Sequence, residues 1–232
     1  MTLIVGVKSS DGIVLAADGR VTSFINGNMV VVTDQARKLF PLGERYAIGV
    51  SGFENATSFI VDRLPAVTPQ AELSACAREL AARLHGDFSE HFQHRLIPQN
   101  WPNAGLMLVG YDGDGQPRIF GLESQLGFMP GPVGRDFTYI GSPYPHTIAK
   151  RMLEQCARTA ITLTDARLLA VMMIRGAADA DPSVGGKISL AVVTKAKYEE
   201  VGDDECERIE RQASELEDRL RNAFWRELRD GH

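Results

Sequence analysis

The chain has 232 residues, a length that fits one large domain whose core needs no disulfide or metal to hold it. Its 25 Lys and Arg residues against 30 Asp and Glu residues give a formal charge of -5, which argues against a nucleic-acid-binding protein that depends on neutralising phosphates. The three cysteines lie far apart and form no CxxC pair, so we expect reduced thiols rather than a disulfide framework or a zinc site. No apolar run has the length of a signal peptide core or a membrane span, and this predicts a cytoplasmic protein.

The first quarter of the chain is predicted to form strands followed by a helix. Residues 2–8 and 13–18 are apolar runs joined by the turn sequence SSDG, which favours a hairpin. Residues 37–42 and 45–51 form a second pair of apolar runs around a Gly-Glu turn. Residues 53–64 then take the apolar spacing of a helix, so the predicted order is hairpin, hairpin, helix.

The rest of the chain returns to strands between groups of helices. Over residues 69–96, apolar side chains recur at spacings of three and four, as on one face of an amphipathic helix. The segments that follow are predicted strands at 105–111, 118–122 and 137–141, helices at 146–157 and 164–178, a strand at 187–194 and a helix in the tail. Helices that are grouped between strands, rather than alternating singly with them, are typical of α+β proteins. We therefore expect a four-layer αββα sandwich with helices outside two sheets.

Two stretches near the N-terminus, TLIVGVKSSDGIVLAADGRVT and ARKLF, resemble the proteasome β-subunit family, including its bacterial homologues. Mature chains of that family begin with Thr, and the resemblance places Thr2 on the nucleophile. It places Asp18 and Arg20 on the acidic and basic residues of the second strand, and Lys38 on the buried lysine of the third segment. The alignment requires four extra residues between positions 26 and 34, which would lengthen a hairpin.

The resemblance continues through most of the chain. RYAIGVSG resembles the strand that carries the oxyanion glycine, placed at Gly49, and YIGSPY places Ser142 on the active-site serine of the family. DPSVGGKISLAVV places Asp181 on the supporting aspartate. The family has a serine three residues after that aspartate, whereas this chain has Val184 there, preceded by Ser183. Either Ser183 or water would replace the missing hydroxyl, or the amine would be less well oriented and the enzyme slow or selective.

The chemistry of these residues agrees with the resemblance. A threonine hydroxyl is a weak nucleophile that needs a base, and a free α-amine with a pKa of about 7.7–8.0 can serve as one on the same residue. This requires removal of Met1, because a peptide bond converts the amine into a non-basic amide. An ammonium at Lys38, held by Asp18, would stabilise a developing alkoxide. The structural alternative for this pair is an ordinary salt bridge between strands.

The remaining assignments also have structural alternatives. The backbone N–H of Gly49 would bind the oxyanion, and Ser142 with Asp181 would hold the Thr2 amine and move its proton. A close-packed strand glycine and turn-forming polar residues would look the same in the sequence. We expect the substrate pocket to be lined by small or apolar residues and completed by a neighbouring subunit; these are Val21, Ala36, Phe40 and Ala47.

Other motifs carry little functional signal. His91 and His94 have a spacing at which two imidazoles can reach one metal, but no third ligand is identifiable and a solvated helix face explains them better. No phosphate-binding loop is present, and we predict no cofactor and no metal.

The resemblance implies an N-terminal nucleophile hydrolase fold. Residues 1–200 would form a proteasome β-type peptidase domain, and residues 201–232 a C-terminal helical extension of the same domain. Such subunits assemble into stacked rings around a chamber that cleaves unfolded polypeptides, and any ATPase that unfolds the substrate would be a separate protein. Two alternatives stay open: a catalytically silent ring-forming subunit, and an amidohydrolase of the same fold that acts on small amides.

Overall fold

The computed structural model describes residues 2–64, 72–93, 97–141, 154 and 161–230. The described part contains four α-helices: α1 (Glu54–Val61), α2 (Leu73–His91), α3 (Leu163–Ala180) and α4 (Asp203–Asp230). The helix predicted at 146–157 falls almost entirely outside the described residues. Within the described ranges, none of the helices is long and apolar enough to cross a membrane.

The strands form two antiparallel sheets and a separate hairpin. The first sheet consists of β1 (Leu3–Lys8), β2 (Ile13–Ala17), β10 (Phe137–Gly141), β11 (Ser189–Val193) and β12 (Tyr198–Glu200), in the order β10-β1-β2-β11-β12. The second sheet consists of β5 (Leu39–Leu42), β6 (Tyr46–Gly52), β7 (Ala104–Tyr111), β8 (Pro117–Glu123) and β9 (Gly131–Pro132), in sequence order. The hairpin pairs β3 (Val21–Ile25) with β4 (Asn28–Thr33).

Three apolar clusters hold the layers together. The first cluster lies between the first sheet and helices α3 and α4. The second lies between the second sheet and helices α1 and α2, and the third lies between the two sheets. The order of layers is therefore helices, sheet, sheet, helices, as the grouping of elements in the sequence predicts.

Strand β1 is apolar along almost its whole length because both of its faces are covered. Leu3 and Val5 contact the helical cluster, whereas Ile4 belongs to the cluster between the sheets, as the alternation of side chains along a strand requires. Strands β10 and β2 flank β1 in the sheet. Thr2 therefore lies at the entrance of a central, fully covered strand, next to the end of β2.

The tail helix α4 begins on the first sheet. Its first turns contribute Cys206, Ile209 and Ala213 to the cluster that also contains α3. Farther along, Phe224 and Trp225 are more than half exposed. The helix thus packs on the body of the protein at its beginning and extends outward at its end.

Candidate active site

Thr2 is enclosed at the start of β1, with only 6 % of its surface exposed. Across the sheet, Leu3 pairs with Gly141, the last residue of β10. Gly141 has φ +105°, and a Cβ atom there would lie 1.7 Å from the carbonyl oxygen of Thr2. Only glycine can combine this conformation with so close an approach, so Gly141 fixes the position of the Thr2 backbone.

The carboxylate of Asp18 organises the residues around Thr2. Its Oδ1 accepts the backbone N–H of Leu3 at 2.9 Å and the Nζ of Lys38 at 2.8 Å. Its Oδ2 accepts the N–H of Gly185 at 3.1 Å and that of Arg20 at 3.3 Å. Because Leu3 N and Lys38 Nζ share one oxygen, the two nitrogens lie within about 6 Å of each other. Asp18 thereby places the lysine beside the first peptide bond of β1.

Lys38 comes from the other sheet, immediately before β5, and is buried. Its Nζ also donates to the carbonyl oxygen of Arg20 at 2.7 Å, so two of its three ammonium hydrogens have fixed partners. Burial lowers the pKa of Lys38 below its ordinary value, and the charge and hydrogen bond of Asp18 oppose this shift. Lys38 and Asp18 therefore form a buried pair in which the carboxylate fixes the position of Nζ.

Arg20 joins the base of the β3–β4 hairpin to the loop after α3. Its Nε lies 2.7 Å from Oδ1 of Asp34, which follows β4, and its Nη1 donates to the carbonyl oxygen of Pro182 at 3.0 Å. The backbone N–H of Arg20 also donates to the carbonyl oxygen of Gly185. The segment that carries Asp18 is thus held on one side by the hairpin and on the other by this loop.

The sequence left open which group replaces the family's serine hydroxyl, and the loop after α3 carries a hydroxyl nearby, at Ser183. Asp181 caps the end of α3, and its Oδ1 accepts both the backbone N–H of Ser183 at 2.9 Å and the Ser183 Oγ at 2.5 Å. Both residues are buried. Val184 is fully buried in the apolar cluster beneath α3. The Ser183 hydroxyl therefore lies beside Asp181, whereas the side chain at position 184 is part of the apolar core.

The register of β6 directs the N–H of Gly49 away from Lys38, contrary to the role that the sequence predicts for it. The backbone N–H of Val50 donates to the carbonyl oxygen of Lys38, on the β5 side of the strand. Since successive N–H groups along a strand point to opposite sides, the N–H of Gly49 points toward Met107 in β7. A Cβ atom on Gly49 would lie 2.8 Å from Cγ2 of Ile4, so this glycine permits close packing between the sheets.

Gly52 is the glycine of this strand whose amide faces the site. The next residue, Phe53, donates its N–H to Asn103 on the β7 side. By the same alternation, the N–H of Gly52 points toward the side where Lys38 lies. Gly52 ends β6, has φ +133° and directly precedes α1. A glycine at the boundary between a predicted strand and a predicted helix is the sequence signal that would have pointed to Gly52 rather than Gly49.

Of the four predicted pocket residues, two lie near the site and two pack elsewhere in the fold. Val21 begins β3 directly after Arg20, and the N–H of Ala36 donates to Gly19 beside Asp18, so both lie near the site. Ala47 is fully buried between the two sheets and cannot contact a substrate. Phe40 packs on the helical side of the second sheet. Ser142 lies outside the described residues.

Comparisons with known proteins agree with this architecture. The family model for "Proteasome subunit" matches residues 2–193. The proteasome subunit beta of Methanopyrus kandleri is 26% identical over 209 residues, covering 90% of this chain and 94% of that protein. The corresponding protein of Methanococcus aeolicus is 28% identical over 216 residues, covering 90% and 91%.

Solved structures show the same fold. The Anbu (Gly-1) mutant from Hyphomicrobium sp. superposes with a TM-score of 0.70 at 20% identity, covering 97% of this chain and 96% of that one. Anbu (ancestral beta-subunit) from Yersinia bercovieri gives a TM-score of 0.69 at 18% identity, covering 96% of each chain. The predicted α+β sandwich of the N-terminal nucleophile hydrolase type is confirmed. Since the family match spans most of the sequence, the chain belongs to the proteasome subunit family.

Proposed function

We propose that the chain is a threonine endopeptidase that cleaves unfolded polypeptides, with Thr2 as the nucleophile once Met1 has been removed. The observation that carries the proposal is the shared oxygen of Asp18, which binds both Lys38 Nζ and the N–H that follows Thr2. An ordinary salt bridge at the surface would be neither buried nor hydrogen-bonded to the backbone of β1. The arrangement supports a lysine charge that acts on the Thr2 hydroxyl.

In the proposed reaction, the Thr2 Oγ forms a bond to the scissile carbonyl carbon and gives its proton to the free α-amine of the same residue. The carbonyl oxygen becomes an oxyanion. The C–N bond then breaks, the ammonium returns the proton to the leaving amine, and an ester to Thr2 remains. Water hydrolyses the ester by the same proton route. Lys38 stabilises negative charge on the oxygen of Thr2 and keeps its own proton throughout.

The oxyanion is assigned to the backbone N–H of Gly52 in place of Gly49. This assignment is supported by the ladder of β6, which turns the Gly52 amide toward Lys38. Asp181 and Ser183 are assigned to the Thr2 amine, an assignment supported by their buried mutual hydrogen bond and by the bond from Gly185 to Asp18. Ser142 retains the role that the resemblance implies.

We further propose that copies of the chain associate into stacked rings that enclose the threonines, as membership of the family suggests. An enclosed site accepts extended chains rather than folded proteins, so folded substrates would need a separate unfoldase.

Products formed from an unfolded protein test the proposal. The purified protein is incubated with a reduced, alkylated protein substrate and, separately, with small amides, and products are identified by mass spectrometry. Internal peptide cleavage that disappears in Thr2→Ala and persists in Thr57→Ala, a threonine in α1, supports the peptidase. Turnover of small amides alone would identify an amidohydrolase. A chain that lacks Met1 yet cleaves nothing would be a silent ring-forming subunit.

A further inference from the structure

A cavity of about 190 Å³, which we call the edge cavity, lies where β12 ends and α4 begins. Its lining comes from three segments of the chain, at 35–39, 187–190 and 200–206. Lys38 itself points away from it, into the pair with Asp18, and no described residue of the lining is assigned to the reaction. At about 30 Å³ for each water molecule, the edge cavity has room for about six of them. It therefore suits a compound about as large as one amino acid.

Strand β11 presents an open backbone edge to this cavity. Val201 donates its N–H to the carbonyl oxygen of Leu190 at 2.9 Å, on the side of β11 that faces β12. The side chains of Ile188 and Leu190 enter the same apolar cluster, so their backbone groups also face the same side. The chain turns into α4 at Asp203, and within the described ranges neither the N–H nor the carbonyl oxygen of Ile188 has a hydrogen-bond partner. One donor and one acceptor are thus open toward the edge cavity.

These two groups of Ile188 match the backbone of a single amino acid. Ile188 is only 4 % exposed, and buried backbone N–H and carbonyl groups are nearly always hydrogen-bonded. In an antiparallel ladder, two opposite residues exchange both of their N–H···O bonds. A free α-amino acid carries an ammonium that can donate to the carbonyl oxygen and a carboxylate that can accept the N–H. It would continue the ladder at the point where β12 leaves it.

The rim of the edge cavity carries two cations and two anions. Arg37 pairs with Glu200, and the Nζ of Lys187 lies 2.7 Å from Oδ2 of Asp203. All four side chains are about half exposed or more, and exposed ion pairs contribute little to stability. Each member can therefore turn toward a ligand at small cost. A rim of balanced charge favours a zwitterion over an anion or a cation.

The floor of the edge cavity is apolar. Leu39, Leu190 and Cys206 are almost completely buried, and Val201 packs on the same cluster as Leu190 and Cys206. An aliphatic side chain that contacts this floor would leave water, which is favourable. A charged side chain would lose its hydration there without gaining a partner. The floor therefore selects for aliphatic side chains.

We propose that the edge cavity is a binding site for a free aliphatic α-amino acid such as leucine. The ammonium and the carboxylate of the ligand bind the backbone of Ile188, the charges of the rim complement them, and the side chain lies on the apolar floor. The proposal goes beyond the proposed peptidase activity and does not depend on it, because Thr2 and its partners take no part in the edge cavity.

Titration of the unaltered protein with amino acids and their derivatives tests the site without any substitution. Isothermal titration calorimetry should show saturable binding of leucine. N-acetyl-leucine lacks the ammonium and stands for the C-terminal residue of a peptide, whereas leucinamide lacks the carboxylate. Each should bind about tenfold more weakly or worse, because one charged hydrogen bond to Ile188 is lost. Absence of saturable leucine binding, or equal binding of all three compounds, would overturn the proposal and leave the edge to water.

Hydrogen exchange locates the ligand. Leucine should slow the exchange of the amide of Ile188, measured by mass spectrometry on peptides that span 187–190, and it should do so equally in Thr2→Ala. Leucine binding that is lost in Thr2→Ala and leaves this segment unprotected would place the ligand in the candidate active site and contradict the proposal. Neither outcome depends on whether the chain cleaves peptides.

Variants of the lining give a second test. Val201→Phe fills the edge cavity and should abolish leucine binding. Glu200→Gln removes an exposed charge of the rim and should weaken binding by about three- to fivefold; it keeps the test decisive if Val201→Phe fails to fold. Glu199→Gln is the matched control, since Glu199 is the neighbouring residue of β12, pairs with Lys197 and does not line the edge cavity. Unchanged binding in both lining variants, or an equal loss in Glu199→Gln, would contradict the proposed site.

Discussion

The Nζ of Lys38 lies 2.8 Å from Oδ1 of Asp18, and both side chains are almost completely buried. The lysine precedes the first strand of one sheet, and the aspartate follows a central strand of the other. The ion pair therefore spans the two sheets at the end where Thr2 begins β1. Because the same carboxylate oxygen binds the N–H of Leu3, displacement of either partner would also disturb the start of β1.

Loss of the lysine charge should separate the catalytic role of the pair from its structural role. Lys38→Met should lower kcat/KM for a fluorogenic peptide by about 100-fold or more, since a charge that stabilises the alkoxide is removed. It should also lower the free energy of unfolding by about 3–5 kcal/mol, because Asp18 remains buried without its partner.

A double variant completes this test. Lys38→Met combined with Asp18→Asn should recover most of the stability and none of the activity. Recovery of activity in the double variant would show that the pair is only structural. Lys187→Met, which breaks the exposed pair with Asp203, is the control and should leave both quantities nearly unchanged.

The pH dependence of cleavage should depend on Asp18. Burial lowers the pKa of Lys38, and Asp18 raises it. Asp18→Asn removes the opposing influence, so the pKa of Lys38 should fall further and the ammonium should be lost at a lower pH. The alkaline limb of the kcat/KM profile should move to lower pH. An alkaline limb that stays in place or moves upward would contradict the role of Lys38, and Asp203→Asn should not move it.

Two neighbouring residues in the loop after α3, Ser183 and Val184, should respond differently to substitution. Ser183→Ala should lower kcat/KM by about 10- to 100-fold, because the buried carboxylate of Asp181 loses a hydrogen-bond donor. Val184→Ser should lower the free energy of unfolding by about 1–3 kcal/mol without raising activity, because it places a hydroxyl in the apolar cluster. Higher activity in Val184→Ser would instead mean that position 184 faces the amine. Urea denaturation and peptide kinetics measure both effects.

Gly141 should tolerate no side chain. Gly141→Ala should abolish cleavage and destabilise the protein, because the added Cβ would overlap the carbonyl oxygen of Thr2 and the backbone has φ +105°. Gly121→Ala in β8 is the matched control, since its Cβ would meet no atom within 4 Å. Thermal unfolding and peptide cleavage should be almost normal in Gly121→Ala. An active Gly141→Ala would contradict the placement of Thr2.

The layers of the fold could be predicted because their residues repeat with a clear period. The continuous apolar run of β1 and the three- and four-residue spacing in α2 both record burial against neighbouring layers. The strands of the β3–β4 hairpin left no such record. The valines at positions 30–32 are exposed and cover no core, so nothing imposes an alternating pattern on them. The resemblance indicated only that a hairpin is lengthened between positions 26 and 34.

The residue types of the candidate site could be predicted from the sequence, whereas the directions in which the backbone amides and side chains point were predicted less well. Asp18, Lys38 and Asp181 are charged residues whose burial demands partners, and the structure gives each of them close ones. The choice between Gly49 and Gly52 depends on which edge of β6 each amide faces, and only the pairing of the strands fixes this. Ala47 was misplaced for the same reason, since the facing of a short strand is set by the sheet it joins.

The central claim is that Thr2 supplies both a nucleophilic hydroxyl and a free amine. The most direct measurement is tandem mass spectrometry of the N-terminal peptide after reaction with a peptidyl epoxyketone, whose ketone carbon accepts a hydroxyl and whose epoxide carbon accepts an amine. We predict an N-terminal peptide that begins at Thr2 and carries the adduct on both groups. Full turnover by a chain that retains Met1, or an equal adduct in Thr2→Ala, would contradict the claim.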